Sequence, residues 1–451
     1  MRTMLRMYTQ EQGSALSSVL IVLVIVTLFI GGILGGVVLQ LRFIQRDINH
    51  QHLMYEAEGE LFRFFHQRTL SDVPLDTTFV TIPSSNHRIQ TRVRYHGGFI
   101  QTTSRIESNR NPITIHALFG DRPDSVFNRA VVVSDSNSTL SLAGSTRIRG
   151  NITGGIQDLT TNSFKGFPFS GAFDGEFERE APSFPNLAFS YIQEQITSFE
   201  DVFSSSSTGI ASAKSLAEGA QRNAQRVMIG TDQEVSRPVS FGNTRTETVF
   251  VRGNLLVSSM LELPPYSMLV VEDSLIVDGA VSGEHVVIYA GSYLGLTGTS
   301  KVSGQLLSNG PISISGDTYL TYPSAILSNK EFSGTGESYS IRLQDKAILD
   351  GTLLYPFRTG QINPAAFRVV IDTSATVRGA LYTNGQTQLQ GTVLGSVLTH
   401  QFYFYESPTD YINWIKDANI DVNQRPDRFI VPMGFRVNPT YTIVDWREEY
   451  E

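Results

Sequence analysis

Cysteine is absent from all 451 residues. That excludes disulfides, thiol nucleophiles, cysteine-ligated zinc and iron–sulfur clusters, and leaves burial and backbone pairing to stabilise the fold. Tryptophan is almost missing: Trp414 and Trp446 are the two present, both near the C-terminus, and both read as packing anchors. Positive charge is in deficit, with 35 Lys and Arg against 43 Asp and Glu and a net charge of −8. A chain of that balance lacks the basic stripes of bulk nucleic-acid binding, and no nucleic-acid partner is expected. Catalytic signatures are missing too. There is no Gly-x-Ser-x-Gly elbow, no His-Glu-x-x-His pair, no phosphate-binding Gly-x-x-x-x-Gly-Lys loop and no calcium nonapeptide repeat. His87, His96 and His116 are scattered without carboxylates to unite them, so they are expected as surface histidines rather than metal ligands.

What the chain does have is one long apolar run, Ser14 to Leu39, with no charge in it. About 20 apolar residues suffice to cross a bilayer as a helix. The run exceeds the 7–15 residues of a secretory h-region, so a retained anchor is expected over a removed signal. Residues 1–13 form a polar leader ending in Gly13. Within the run, Gly31, Gly32, Gly35 and Gly36 make two overlapping Gly-x-x-x-Gly pairs, a spacing that lets a second helix approach closely in lipid. The helical pattern continues to Gln67, with Ile44, Ile48, Tyr55 and Phe62 on one stripe and Ala57, Leu61 and Phe65 beside it. Residues 14–67 therefore read as a stem of about 50 residues, roughly 75 Å long. Its apolar stripe needs a partner, either the protein's own body or neighbouring stems.

A leader ending in glycine, then Ser14-Ala15-Leu16, an unbroken apolar helix, Arg46-Asp47 and the downstream Tyr55-Glu56-Ala57-Glu58-Gly59-Glu60-Leu61 resemble the N-terminus of PilX-type minor pilins of bacterial type IV pilus assembly. The resemblance covers about the first 65 residues. It implies processing between Gly13 and Ser14, a leader in the cytoplasm, a single pass through the bacterial inner membrane, and a body in the periplasm or at the cell surface. It also implies other pilin-like stems or envelope assembly proteins as partners. In one respect the chain departs from major pilins: Ser18 stands where they carry glutamate.

Beyond the stem the sequence is mainly β in pattern. Residues 72–120 alternate polar and apolar in short runs, as in Ile89, Thr91, Val93 and Tyr95, with a turn at His96-Gly97-Gly98; they predict a small antiparallel sheet. Residues 127–157 and 246–400 consist of strands of three to five residues broken by Gly, Asp, Asn and Ser corners, recurring about every 20 residues. That texture predicts a β-helix, a solenoid whose coils stack on one another. A β-sandwich, with longer strands, is the competing architecture. Residues 158–245 read as an insertion carrying two helices around a Ser204–Ser207 linker, either a surface excursion or a partner contact. Residues 401–451 read as a C-terminal cap, with a short helix at YINWIKDA followed by two closing strands.

The carboxylates of the repeat, Glu272, Asp273, Asp278, Asp317, Asp350 and Asp372, sit beside glycine or at strand ends, where aspartate is a good corner residue. None is evidently paired with a cation. No residue is expected to do chemistry, and no cofactor is expected. The functional expectation is a membrane-anchored structural protein of the cell envelope, pilin-like in its stem. The rivals are a surface adhesin that binds glycan or protein through the solenoid flank, and a polysaccharide lyase or glycosidase.

Overall fold

The computed structural model describes residues 2–67, 77–81, 88–107, 112–135, 138–180, 190–204, 209–242, 244–330, 339–355, 367–434 and 441–449. His87 and the Ser205–Ser207 part of the linker lie outside the described residues. The architecture is a long N-terminal helix, a small antiparallel sheet and a large parallel solenoid.

Helix α1 runs unbroken over Arg2–Gln67. The leader is therefore not set off from the stem by a break at Gly13. A single interior glycine costs about 1 kcal/mol of helix stability, while Met, Leu, Arg, Gln and Glu on its N-terminal side are good helix formers and carry the helix through.

Four strands follow: β1 (Thr77–Thr81), β2 (Arg88–His96), β3 (Phe99–Glu107) and β4 (Ile113–Asp121). They pair in order and antiparallel, and the C-terminal strand Tyr441–Glu449 closes the sheet against β4. A two-residue loop, Gly97-Gly98, joins β2 to β3, with Gly97 at the positive φ of +61° that such tight hairpins require. One face of this sheet buries Ile89, Val93, Ile100, Ile106, Ile115 and Phe119, and against them lie Leu53, Ala57 and Leu61 of α1.

The solenoid is one column of parallel strands, and its stacking order is not its chain order. Reading along the axis, the inward residues of one wall are Val227, Val249, Leu269, Ile288, Leu306, Ile326, Leu353, Leu381, Val397, Val131, Ile152 and Phe177, each in register with the next. The strand that contains Val397 thus lands on the strand that contains Val131. The chain lays down the coils of residues 131–179 first, returns along the flank, and builds from residue 211 back towards them. The two repeat stretches are one solenoid. Much of 158–245 belongs to it as well, since Ala172–Asp174, Phe177–Arg179, Arg226–Ile229 and Gln233–Val235 are all rungs. Helices α2 (Ser190–Ser204) and α3 (Leu216–Arg222) stand outside the ladder. The end of the expected second helix, Arg226–Ile229, is a strand, because its alternate residues Val227 and Ile229 complete the apolar column.

The same wall is apolar on its outer side too, through Phe250, Val270, Tyr289, Leu307, Leu327, Leu354, Tyr382, Leu398 and Val132. Strands buried on both faces read as continuous rather than alternating apolar runs. Ile192, Ile196, Phe199 and Phe203 of α2, spaced on one helical face, cover part of this outer side; Phe99, Leu118 and the loop residues Phe429, Ile430 and Val431 cover more.

The C-terminal segment departs from expectation. YINWIKDA is not a helix: Thr409–Ile412 pairs back on the strand before it, and Trp414–Lys416 joins Thr139–Ala143 in parallel. The alternation of buried Ile415 with half-buried Trp414 and Lys416 fits a pleat rather than a helical face. The final strand, with Trp446, belongs to the small sheet and not to the solenoid end. Trp414 packs in an aromatic cluster with Phe164, Phe404 and Tyr411, whereas Trp446 is 45% exposed.

Candidate functional site

The stem divides into two parts. Its downstream turns are built into the body, with Leu53, Ala57 and Leu61 at 8%, 0% and 3% exposure. Burying two leucines in this way contributes roughly 4 kcal/mol. Glu60, buried beside them, pairs with Arg63 at 2.7 Å one turn on. The upstream part is bare. From Leu16 to Leu39 every large apolar side chain is exposed, and this is the one helix among the described residues that is long and apolar enough to cross a membrane. Thr27 satisfies its hydroxyl locally, donating to the Leu23 carbonyl at 2.7 Å.

The expected stem-packing residues all lie on this free surface. A β-carbon placed on Gly31, Gly32, Gly35 or Gly36 would meet nothing within 4 Å, so the glycines leave an open groove in the helix wall. Ile44, Ile48, Tyr55 and Phe62 are 49%, 60%, 70% and 51% exposed. They do not face the body, which is met instead by the neighbouring stripe of Leu53, Ala57 and Leu61. The helix therefore carries two apolar stripes, of which the body covers one. Gly13 and Ser14 lie within α1.

Between sheet and solenoid is a polar joint. The β2–β3 hairpin tip enters a socket made by three elements. Gln305 of the solenoid accepts from the Gly98 N–H and donates to the His96 carbonyl at 2.6 Å. Gln195 of α2 accepts from the Gly97 N–H at 3.1 Å and donates to the Tyr95 carbonyl at 3.0 Å. The loop before the last strand closes the third side, with the Met433 N–H donating to the Gly98 carbonyl at 2.7 Å. Tyr191 stacks on Tyr95, ring centroids 4.6 Å apart. There is no room for a side chain at the tip, since a β-carbon on Gly98 would come 2.7 Å from Pro432 Cβ.

Charge reinforces the joint. Arg94 pairs with Glu247 at 2.7 Å and donates to the Tyr266 carbonyl at 3.2 Å. His285 holds Asp445 of the final strand at 2.6 Å, and that bond keeps the Asp445 carboxyl below its usual range. Arg447 pairs with Glu284 at 2.9 Å. His285 sits at a left-handed φ of +52° beside a register shift in its strand, and a second shift between Ile443 and Asp445 lies opposite. Such irregularities re-aim side chains, here towards each other. His96, expected at the surface, is wholly buried, and its Nε2 donates to the His285 carbonyl at 2.5 Å. His116 stacks on Tyr266 at 5.5 Å. The alternation of β2 reads correctly, but sequence gives no signal that the polar edge of this hairpin is covered by residues nearly 200 positions away.

Elsewhere on the solenoid, four of the six corner carboxylates do have cationic partners on nearby coils. Asp350 lies 3.5 Å from Arg378, Asp372 2.9 Å from Arg342, Asp317 3.6 Å from Lys346 and Glu272 3.9 Å from Arg252. Coil-to-coil stacking brings together residues some 20–30 apart, a pairing invisible to local spacing. Among the described residues, no group of three or more His, Asp or Glu is placed to hold a metal ion. A shallow groove of about 460 Å³ runs over Asp232, Glu234, Asn254, Leu256, Ser274 and Ile276 on a second wall.

No family model matches the chain, and no curated protein matches it. Among solved structures, the chain is similar to the competence-associated pilin ComZ from Thermus thermophilus, at 9% identity and a TM-score of 0.20, over 89% of this chain and 96% of that one.

Proposed function

We propose that this chain is a membrane-anchored structural subunit of a bacterial envelope assembly, pilin-like in the manner of PilX-type minor pilins, which works through its stem and performs no chemistry. The observation that carries the reading is the division of α1. One half is docked on the chain's own sheet, while the other half is bare, apolar and grooved by four glycines. A bare apolar surface of this length is stable in lipid or against other helices, not in water. Gly31, Gly32, Gly35 and Gly36 would admit a neighbouring stem within the bilayer, and Ile44, Ile48, Tyr55 and Phe62 would continue that contact outside it. The resemblance of the first 65 residues implies a leader in the cytoplasm and a body in the periplasm or at the surface.

Two measurements test this. Mass spectrometry of the membrane fraction is expected to find a mature start at Ser14; an intact Met1 or a cut near residue 40 would overturn the pilin reading. Because the chain lacks cysteine, Ile33→Cys gives a single thiol, and oxidation in native membranes is expected to yield stem-to-stem adducts. Complete absence of adducts to any partner refutes assembly through the span. A second reading, an adhesin taking glycan on the solenoid flank, rests on the groove at Asn254 and Ile276. It expects glycan-array retention that is lost in Asn254→Ala, and no retention removes it.

A further inference from the structure

The hairpin joint contains a histidine that can be held in only one protonation state. His96 Nε2 carries a hydrogen, because it donates to the His285 carbonyl. The other nitrogen, Nδ1, is buried and has no hydrogen-bond partner. A proton placed there would find no acceptor and would lie close to the Arg94 guanidinium. Burial first, and Arg94 second, hold the ring's pKa down at about 3, against the ordinary 6.5. The charged groups around it already have partners, and the Tyr266 hydroxyl, which has none, is neutral. Glu247 is taken by Arg94, Asp445 by the His285 ring, and Glu284 by Arg447, while Tyr266 lies between the rings of His96, His116 and His285. On the α2 side the neighbours are Gln195 and Tyr191, both bonded to the hairpin backbone. None offers His96 Nδ1 an anion.

We propose that the β2–β3 hairpin tip is an acid-released latch, in which protonation of His96 on Nδ1 undocks the stem-bearing sheet from a solenoid that stays folded. The geometry separates the two units. The solenoid column is held by its own apolar ladder, whereas the sheet is held to it by hydrogen bonds that close around an uncharged imidazole, by the ion pairs of Arg94, Asp445 and Arg447, and by Phe99 and Leu118 against the outer wall. The latch is independent of what the stem assembles with.

The sign follows from linkage. Above pH 6.5 the ring is neutral whether docked or undocked, and pH has no effect on the latch. Below that, the undocked ring takes a proton and the docked ring does not, so undocking is favoured progressively down to about pH 3. One proton gives a rise in the opening constant that approaches tenfold per pH unit, or roughly 50-fold between pH 6.5 and 4.5. Hydrogen exchange on the full chain in detergent, expressed as protection factors, reads this directly. Protection in β2, β3 and β4 is expected to fall with that slope relative to Thr248–Val251 and Met268–Val271. His96→Gln, whose amide can donate to the same carbonyl and does not titrate, is expected to abolish the slope. His400 of the solenoid is also held low by burial, so some shared acid sensitivity will remain in both proteins. Equal loss of protection in sheet and solenoid, or an unchanged slope in His96→Gln, overturns the proposal. Should His96→Gln fail to fold, Gln305→Ala serves: it weakens the socket but keeps His96, so it must show a raised opening constant with the slope intact, and a missing slope overturns the latch.

Discussion

Gly351, Gly379 and Gly395 stack directly on one another in three successive coils, and Gly395→Ala is the sharpest test of how tightly those coils are packed. Gly395 has φ +149°, a region closed to residues with a side chain, and a β-carbon there would overlap the Gly379 carbonyl group, 2.7 Å from its carbon. Ordinary contact begins at 3.4 Å, so the coils must separate or the backbone must turn. Turning it costs of order 1–3 kcal/mol. Separating the coils strains ladder hydrogen bonds worth about 1 kcal/mol each, at the point where the Val397 strand meets the Val131 strand. Together these predict a loss of at least ~3 kcal/mol, within the range reserved for backbone strain and clash. Urea unfolding in detergent, followed by Trp414 fluorescence in a Trp446→Phe background, gives the measurement. Gly230→Ala is the control: a β-carbon there meets nothing within 4 Å, so a change under about 0.5 kcal/mol is expected. A Gly395→Ala protein within 1 kcal/mol of its parent would refute the packing argument.

Leu61→Ala is expected to cost the stem–sheet junction 2–4 kcal/mol, as large-to-small changes in a core do, and to lower the Trp446 transition in a Trp414→Phe background while leaving the solenoid transition in place. Gly35→Leu, which fills the groove of the free span, is expected to reduce Ile33→Cys adducts roughly tenfold, about 1.4 kcal/mol of association, without moving the unfolding of the body. Tyr55→Ala exposes nothing from the body's own core, so its effect is expected in adduct yield and not in stability; a loss of stability would mean that the exposed stripe packs on the chain itself.

The features legible in the sequence are those written locally. The charge-free span, the alternation in β2 and the glycine-punctuated coils each have a short period, and each is present in the structure. What stayed hidden depends on residues far apart. Nothing near Val131 or Val397 announces that their strands are neighbours, because parallel pairing across more than 250 residues leaves no spacing to read. The cationic partners of Asp350 and Asp372 leave no local trace for the same reason. YINWIKDA has a cap residue and helical spacing, yet tertiary pairing with Thr139–Ala143 overrides that local preference. His96 illustrates the limit most clearly. Its position in a polar, glycine-flanked turn reads as surface, and only the arrival of α2, the Gln305 coil and the Pro432 loop turns that surface into an interior.

The stem's two stripes show why the ambiguity at Ile44, Ile48, Tyr55 and Phe62 could not be settled by periodicity. An amphipathic helix with one partner has one apolar face. This helix has apolar residues on two adjoining faces, and the body takes only the one containing Leu53, Ala57 and Leu61. The chain leaves the small sheet through β4 at Asp121 and returns to it at Tyr441, pairing with β4 itself. The solenoid is thus enclosed between two excursions from a single sheet, and both of its covalent ends leave from that sheet. Any force applied along α1 reaches the solenoid through β4 and its partner strand, and through the hairpin socket. A body hung in this way can be large without burdening the stem, because the surface of α1 that remains free is set by the small sheet alone. The role proposed above needs that arrangement, with α1 free on one side and carrying its own domain on the other.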